Sequence, residues 1–313
     1  MKLEPPKFFG IKKIEDFLSL SEFIFRIENK QQRDFVLDLS KMKSISLIGQ
    51  LLLYKFISYT AENHCFYQPK ISIQKEQVQL FERYGFYEII KAYIYTPQKK
   101  AQIIKSYKKI KFIHEDGLLI APQRLLRIEN GMKDELENNL FLSLKSFYDN
   151  STAYTITSVC MGELLSNFWS HATNDSGTVM VAYCKKNYFE VCFADNGNGI
   201  ISTLRDSHIQ YKHLSNKDIL KKSIEKGVTS KPHSNHMGLG LFLIQNICKY
   251  NTGEMKIISE GYSLEIINSQ EKLKEISYWR GTIVYLKLTL DKIVNLFEIP
   301  ELQIKNKYCI LWG

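Results

Sequence analysis

The stretch "YFEVCFADNGNGI", residues 188–200, ends an apolar run on one carboxylate and two glycines. Its first half reads as a strand, with Asp195 standing at the strand's end. Gly197 and Gly199 then leave the backbone free to take positive φ or to admit a close neighbour. Two readings stay open on these residues alone: an ordinary Asp/Asn/Gly turn, or a loop shaped for the approach of a ligand. Working outward, "GTVMVAYCKKNYFEVCFADNG", 177–197, reads as two antiparallel strands joined at "KKN". The alternation along each arm fits a sheet with one buried face.

Two helices are expected before this hairpin, over "MKDELENNLFLSLKSFYDN" (132–150) and "TITSVCMGELLSNFWSHAT" (155–173). In the second, Glu163 and Asn167 are four residues apart and share a helix face. A carboxamide oxygen can ligate Mg²⁺, and a carboxylate one turn away can orient or deprotonate a nucleophile. The same pair also fits a plain helix surface. His171 extends this rim by another turn and can assist phosphate binding or simply face solvent; no second histidine stands at metal-ligand spacing.

Downstream, "KGVTSKPHSNHMGLGLFLI" (226–244) carries Gly238 and Gly240 into an apolar helix. The first N–H groups of such a helix can donate to phosphate oxygens, although a glycine cap explains the same residues. Thr229, Ser230 and Lys231 lead into a polar loop with Pro232, His233, Asn235 and His236, able to fold over an anion. The order is neither a Walker A loop nor a dinucleotide fingerprint. Later strands are expected in "EMKIISEGYSLEIIN" (254–268) and "GTIVYLKLTL" (281–290).

Taken in order, these pieces are E-x3-N on a helix, D-x-G-x-G after a strand, a Thr/Ser loop, GLGL into a helix and "GT" entering a strand. That order resembles the GHKL ATPase superfamily, the ATP-binding fold of sensor histidine kinases, anti-sigma serine kinases, Hsp90, MutL and gyrase B. The resemblance covers roughly residues 130–290. It implies an α/β sandwich with a mainly antiparallel sheet over 126–295, with ATP and Mg²⁺ as cofactors. It implies that Asn167 binds the magnesium and that Glu163 is the general base. Asp195 accepts from the adenine amino group, with Thr282 supporting it. Gly197 and Gly199 let the nucleotide approach the backbone. The resemblance implies that Gly238, Leu239, Gly240 and Leu241 lie beside the phosphates and lid, and His171, Thr229, Ser230 and Lys231 join them as candidate phosphate-binding residues. The helix at 132–150 has no histidine, which disfavours self-phosphorylation on histidine and turns the resemblance toward the anti-sigma serine kinases.

Residues 1–125 alternate strand and helix: "DFVLDLSKM" (34–42), "LIGQLLLYKFISYTAEN" (47–63), "PKISIQ" (69–74) and a helix over 76–90 broken near Gly85. A turn and short strand are expected in "EDGLLIAPQR" (115–124). The small α/β unit loosely resembles STAS domains, the partners of those kinases. Where that family carries a phosphoacceptor serine, this chain has Ser46, Leu47, Ile48 and Gly49. A docking or sensing role fits better than that of substrate. Residues 296–313 are read as a C-terminal tail whose apolar end, "NKYCILWG" (306–313), docks on the body or a partner or is a last strand.

The chain of 313 residues is 44% hydrophobic and 24% charged, ordinary for a globular protein. No apolar run is long enough to span a membrane, and the N-terminus lacks a signal-peptide pattern. Six scattered cysteines without a CxxC point to free thiols in a reducing cytoplasm. The net charge is +9, and six lysines crowd "QKKAQIIKSYKKIKF", 98–112. Such a run attracts nucleic acid or an acidic partner, but no nucleic-acid recognition motif accompanies it. A protein partner is the expectation, with a homodimer left open. Two function classes remain: phosphoryl transfer to a protein Ser/Thr hydroxyl or to water, and an ATP-gated interaction switch with little turnover.

Overall fold

The structure, a computed structural model, describes residues 2–26, 36–63, 70–83, 85–87, 90, 112–114, 117–125, 132–149, 151–171, 178–231, 238–291 and 293–302. Most of the lysine-rich stretch, the loop 232–237 and the tail beyond 302 lie outside these residues.

The N-terminal unit holds β1 (Lys2–Leu3), β2 (Phe8–Phe9), α1 (Ile14–Arg26), β3 (Val36–Asp38), β4 (Ser44–Ile45), α2 (Leu47–Asn63), β5 (Lys70–Ser72) and α3 (Lys75–Glu82). Its ladders are parallel, in the orders β1-β3-β5 and β2-β4. The Ser46 hydroxyl accepts from Gly49 N–H at 3.3 Å and so caps α2. Gly85, at φ +72°, follows the end of α3, where the sequence predicts a break. Helix α2 is apolar on all sides: Leu51, Leu52, Leu53, Tyr54, Phe56 and Ile57 are all buried. A helix of that kind must be covered all round. One flank lies against strands of the large sheet.

That sheet is antiparallel throughout, in the order β12-β11-β10-β13-β9-β8-β7-β6. Its strands are β6 (Phe112–His114), β7 (Leu118–Leu125), β8 (Thr178–Lys185), β9 (Tyr188–Ala194), β10 (Glu254–Ser259), β11 (Tyr262–Ile267), β12 (Gln270–Glu275) and β13 (Thr282–Thr289). The turn between β8 and β9 is Lys186-Asn187. Helices α4 (Met132–Phe147), α5 (Ser151–His171), α6 (Ile200–Ser207), α7 (Asn216–Lys222) and α8 (Gly240–Tyr250) complete the C-terminal part. The sequence marks α4, α5 and α8, but reads 200–236 only as polar and passes over β12, whose residues "QEKLKE" alternate no apolar face.

The hairpin differs from the single buried face its alternation suggests. Met180, Ala182, Val191 and Phe193 pack with α4, α5 and α8. Val179, Val181, Cys192 and Ala194 pack on the other side with α1 and α2. Both faces are buried because the N-terminal unit covers the face that α4, α5 and α8 leave bare. The unbroken apolar run "TVMVAYC" is the sequence signal for this. Likewise β7, read as a short strand in the N-terminal segment, runs eight residues and pairs with β8 inside the large sheet. The N-terminal unit and the sheet therefore share one core.

Charges fasten the same junction. Lys256, on β10 and 4% exposed, binds Glu265 of β11 at 2.5 Å. Lys274 of β12 bridges Glu265 at 3.2 Å and Glu15 of α1 at 2.8 Å. Burial pushes the Glu265 carboxyl up, but the Lys256 and Lys274 ammoniums outweigh it and hold the group below its usual range. Cys160, Cys184, Cys192 and Cys248 are free, buried thiols. Burial pushes Cys184 and Cys248 up to about 12, so they stay neutral and pack as small apolar groups.

Candidate functional site

Two groups of the sequence-marked residues assemble on the side of the sheet that carries α4, α5 and α8. The first lies where α5 meets α8. A Cβ built on Gly240 would stand 2.6 Å from Glu163 Oε2 and 3.2 Å from Asn167 Nδ2. Glycine at that position lets the first turn of α8 close onto the Glu163/Asn167 face. Leu164, Leu165 and Phe168 turn into the core and hold that face outward. Asn167 Nδ2 is buried with no hydrogen-bond partner among the described residues. Such a group is costly unless something completes it. Burial raises the Glu163 carboxyl above its ordinary value, the direction that suits a proton acceptor and donor near neutral pH. His171 is the last residue of α5.

Helix α8 begins without a side-chain cap: Leu239 is its N-cap residue and no acid stands in its first turn. The opening N–H groups of such a helix face outward with partial positive charge. Leu239 C=O accepts from Leu243 N–H at 2.7 Å, and Leu241 packs partly into the core. Gly238, at φ +63°, leans so closely on the Gly227–Val228 backbone that a Cβ would sit 2.6–2.7 Å from it. Gly227 N–H donates to Gly238 C=O at 3.0 Å. The two glycines pin the ends of the polar loop. Thr229 C=O lies 2.6 Å from His208 Nε2, and Thr229 Oγ1 accepts from Lys231 N–H at 3.1 Å. Thr229 and Ser230 are half-buried and Lys231 is exposed; Pro232, His233, Asn235 and His236 lie outside the described residues.

The second group surrounds Asp195. By strand alternation from Val191 and Phe193, the Asp195 side chain belongs to the same sheet face as α5 and α8. Thr282 does too, by alternation from Val284 and Leu286. Asp195 N–H donates to Thr282 C=O at 2.9 Å, and Asp195 Oδ1 accepts from Gly197 N–H at 2.8 Å. The turn that follows is thus an Asx turn, as the plain reading has it. A Cβ on Gly197 would meet nothing but Asp195 itself, so this glycine's far side stays clear of the fold.

Gly199 serves a different neighbour from the one the resemblance implies. At φ +88°, its missing Cβ makes room for the Glu260 carboxylate, 2.4 Å from where a Cβ would stand. Glu260 accepts from Ser202 N–H at 3.0 Å and from the Ser202 hydroxyl, while Ser259 Oγ accepts from Ile200 N–H at 2.9 Å. The acid caps α6 from the β10–β11 turn and satisfies that helix's first donors. Trp279, Arg280 and Gly281 hold the other end of the turn, before Thr282. Neither Glu260 nor Trp279 stands in a local motif; each acts across at least 58 residues. Only Gly199 itself hinted that something had to come close.

Among the described residues no group of three or more His, Cys, Asp or Glu could hold a metal ion alone. A cation at the α5–α8 junction would draw its remaining ligands from water and from an anionic ligand, the usual arrangement for Mg²⁺ with phosphates. The unsatisfied Asn167 Nδ2 donor and the uncapped start of α8 fit the anion of such a pair, and the Asn167 amide oxygen and the adjoining Glu163 would face the cation. Comparison with known protein families, with curated proteins and with solved structures returned no match.

Proposed function

We propose that the chain is an ATP-binding protein of GHKL type that uses Mg²⁺ and transfers the γ-phosphoryl group to a partner protein's Ser/Thr hydroxyl or to water. The observation that carries this reading is the junction of α5 and α8, where Glu163 and Asn167 converge on Gly240 and the Asn167 Nδ2 donor lacks a partner that a phosphate oxygen would supply. Asn167 would hold the cation and its phosphate. The start of α8 would donate N–H groups to phosphate oxygens. Glu163 would take the proton of the attacking hydroxyl, its basicity raised by burial. When bound, the magnesium nucleotide supplies the transferable phosphoryl group and neutralises its developing charge. Asp195 sits on the same sheet face and offers acceptors to an exocyclic amino group. Guanine presents a carbonyl at that edge, so acceptor would oppose acceptor and ATP is favoured over GTP.

A second reading, an ATP-gated protein switch, has the pinned loop in its favour. Gly227 and Gly238 fix its two ends while Lys231 between them is exposed. A segment so held can reorder over an anion without its base moving. The STAS-like reading of the N-terminal unit fits either function, as a docking or sensing element.

Incubation of wild type and E163Q with γ-labelled ATP, with and without cell extract, separates these readings. Free phosphate marks an ATPase and a labelled protein marks a kinase, each lost in E163Q. Binding without product marks the switch. D195N is expected to weaken ATP binding by at least tenfold, read by calorimetry; unchanged affinity removes the base-recognition role.

A further inference from the structure

The segment 276–281 belongs to two places at once. Trp279 is fully buried in the core that α1 and α2 share with the back of the sheet, and Ile276 and Tyr278 pack against that same core. Ser277 Oγ lies 3.0 Å from Ser19 Oγ of α1. Yet Trp279 Nε1 donates to Asp195 C=O at 3.2 Å. One residue on, Arg280 Nε donates to Asn196 C=O at 3.3 Å and Asn196 Nδ2 returns a bond to Arg280 C=O at 3.3 Å. Gly281, at φ +88°, then presses so close that a Cβ would stand 2.4 Å from Asp195 O and 2.6 Å from Asp195 Oδ1. Asp195 is therefore held from behind the sheet by a rigid indole seated in the N-terminal core.

We propose that Trp279 is the positioning residue for Asp195: seated in the N-terminal core, its indole N–H fixes the acceptor that reads the base's amino group. This rests on the ATP-binding reading above. A buried indole N–H needs a partner, and here that partner is the backbone of the one residue assigned to base recognition. A purely structural tryptophan in this core would have stability as its whole effect. A positioning tryptophan also sets how well Asp195 distinguishes a purine that carries the amino group from one that lacks it.

The test uses the full chain, with W279F, which keeps an aromatic ring and removes the donor. G281A is the second variant, displacing Asp195 without altering the buried ring. Affinities for ATP and for the triphosphate of unsubstituted purine riboside are measured by calorimetry. Amide exchange over 195–199 is followed in parallel without nucleotide. Wild type is expected to prefer ATP. In both variants that preference should shrink by about fivefold, the order of one lost hydrogen bond, while affinity for the desamino analogue holds. Exchange over 195–199 should quicken more than over β8. A preference unchanged in W279F, whatever G281A shows, or an equal loss for both nucleotides in W279F, overturns the proposal. Should wild type bind neither nucleotide, the ATP reading fails on its own. Exchange in W279F then decides whether Trp279 positions Asp195: faster exchange confined to 195–199 upholds the positioning and unchanged exchange overturns it.

Discussion

Glu163 shows how one residue's environment becomes a measurable property. Its carboxyl is raised by burial, so the folded state holds the proton more tightly than the unfolded chain does. Stability from this group is then greatest at acid pH, where both states are protonated, and falls as pH rises through the unfolded and then the folded value. E163Q, neutral throughout, is expected to melt higher than wild type at pH 7 and above. The gap should close on acidification below about pH 4; a gap independent of pH would contradict the assignment. Gly199 gives a second residue-scale case. Any side chain there meets Glu260 and must hold φ +88°, so G199A should cost about 2 kcal/mol or more in urea unfolding. Asp195 and its two glycines were legible in the sequence because a strand end, an acid and freed backbone are local features. Glu260 was not, because a cap delivered from another turn leaves no local spacing.

Among the elements, β10, β11 and β12 are tied to α1 by the Lys256, Glu265, Lys274 and Glu15 charges. Removing the partner of a buried ammonium leaves an uncompensated charge, which costs more than the intact pair contributes. E265Q leaves Lys256 with Glu15 at 3.6 Å as its remaining partner, so it should destabilise the fold by about 2 kcal/mol in urea unfolding, less than the full cost of a broken buried pair. E15Q, at an exposed end of the network, should cost under about 1 kcal/mol. Glu265 also points to an acid limit. Its folded value lies below the unfolded one, so its contribution is present above the unfolded value and is lost as pH falls through the folded value. The elements themselves differ in legibility. Helix α2 spans the same residues that its apolar run marks, 47–63. β12 is charged along its length and exists because β11 offers it a ladder.

For the whole molecule, the consequential feature is that the central strands β8, β9, β10 and β13 are buried on both faces. Val179, Val181, Cys192, Ala194, Ile258, Ile283 and Tyr285 all lie under the N-terminal unit. Expressing residues 126–313 alone would bare this surface and also remove β6 and β7 from the sheet edge. Such an apolar patch drives association. The fragment is expected to aggregate or to bind a hydrophobic dye strongly, whereas the full chain does not; a soluble, dye-silent monomer would show that the two parts fold independently. By itself the sequence determined helices α2, α3, α4, α5 and α8, most of the strands and the order of the candidate site residues, but not α1, α6 or α7. Periodicity, strand ends and glycine pairs are properties of neighbouring residues, and neighbours are what a sequence displays. Only the tertiary structure decided that the N-terminal unit shares the sheet's core, that Glu260 claims the space at Gly199, and that Trp279 reaches Asp195 from behind. The last two depend on residues 58 and 84 positions apart, brought together by burial of two apolar faces, which carries no spacing a reader can follow along the chain.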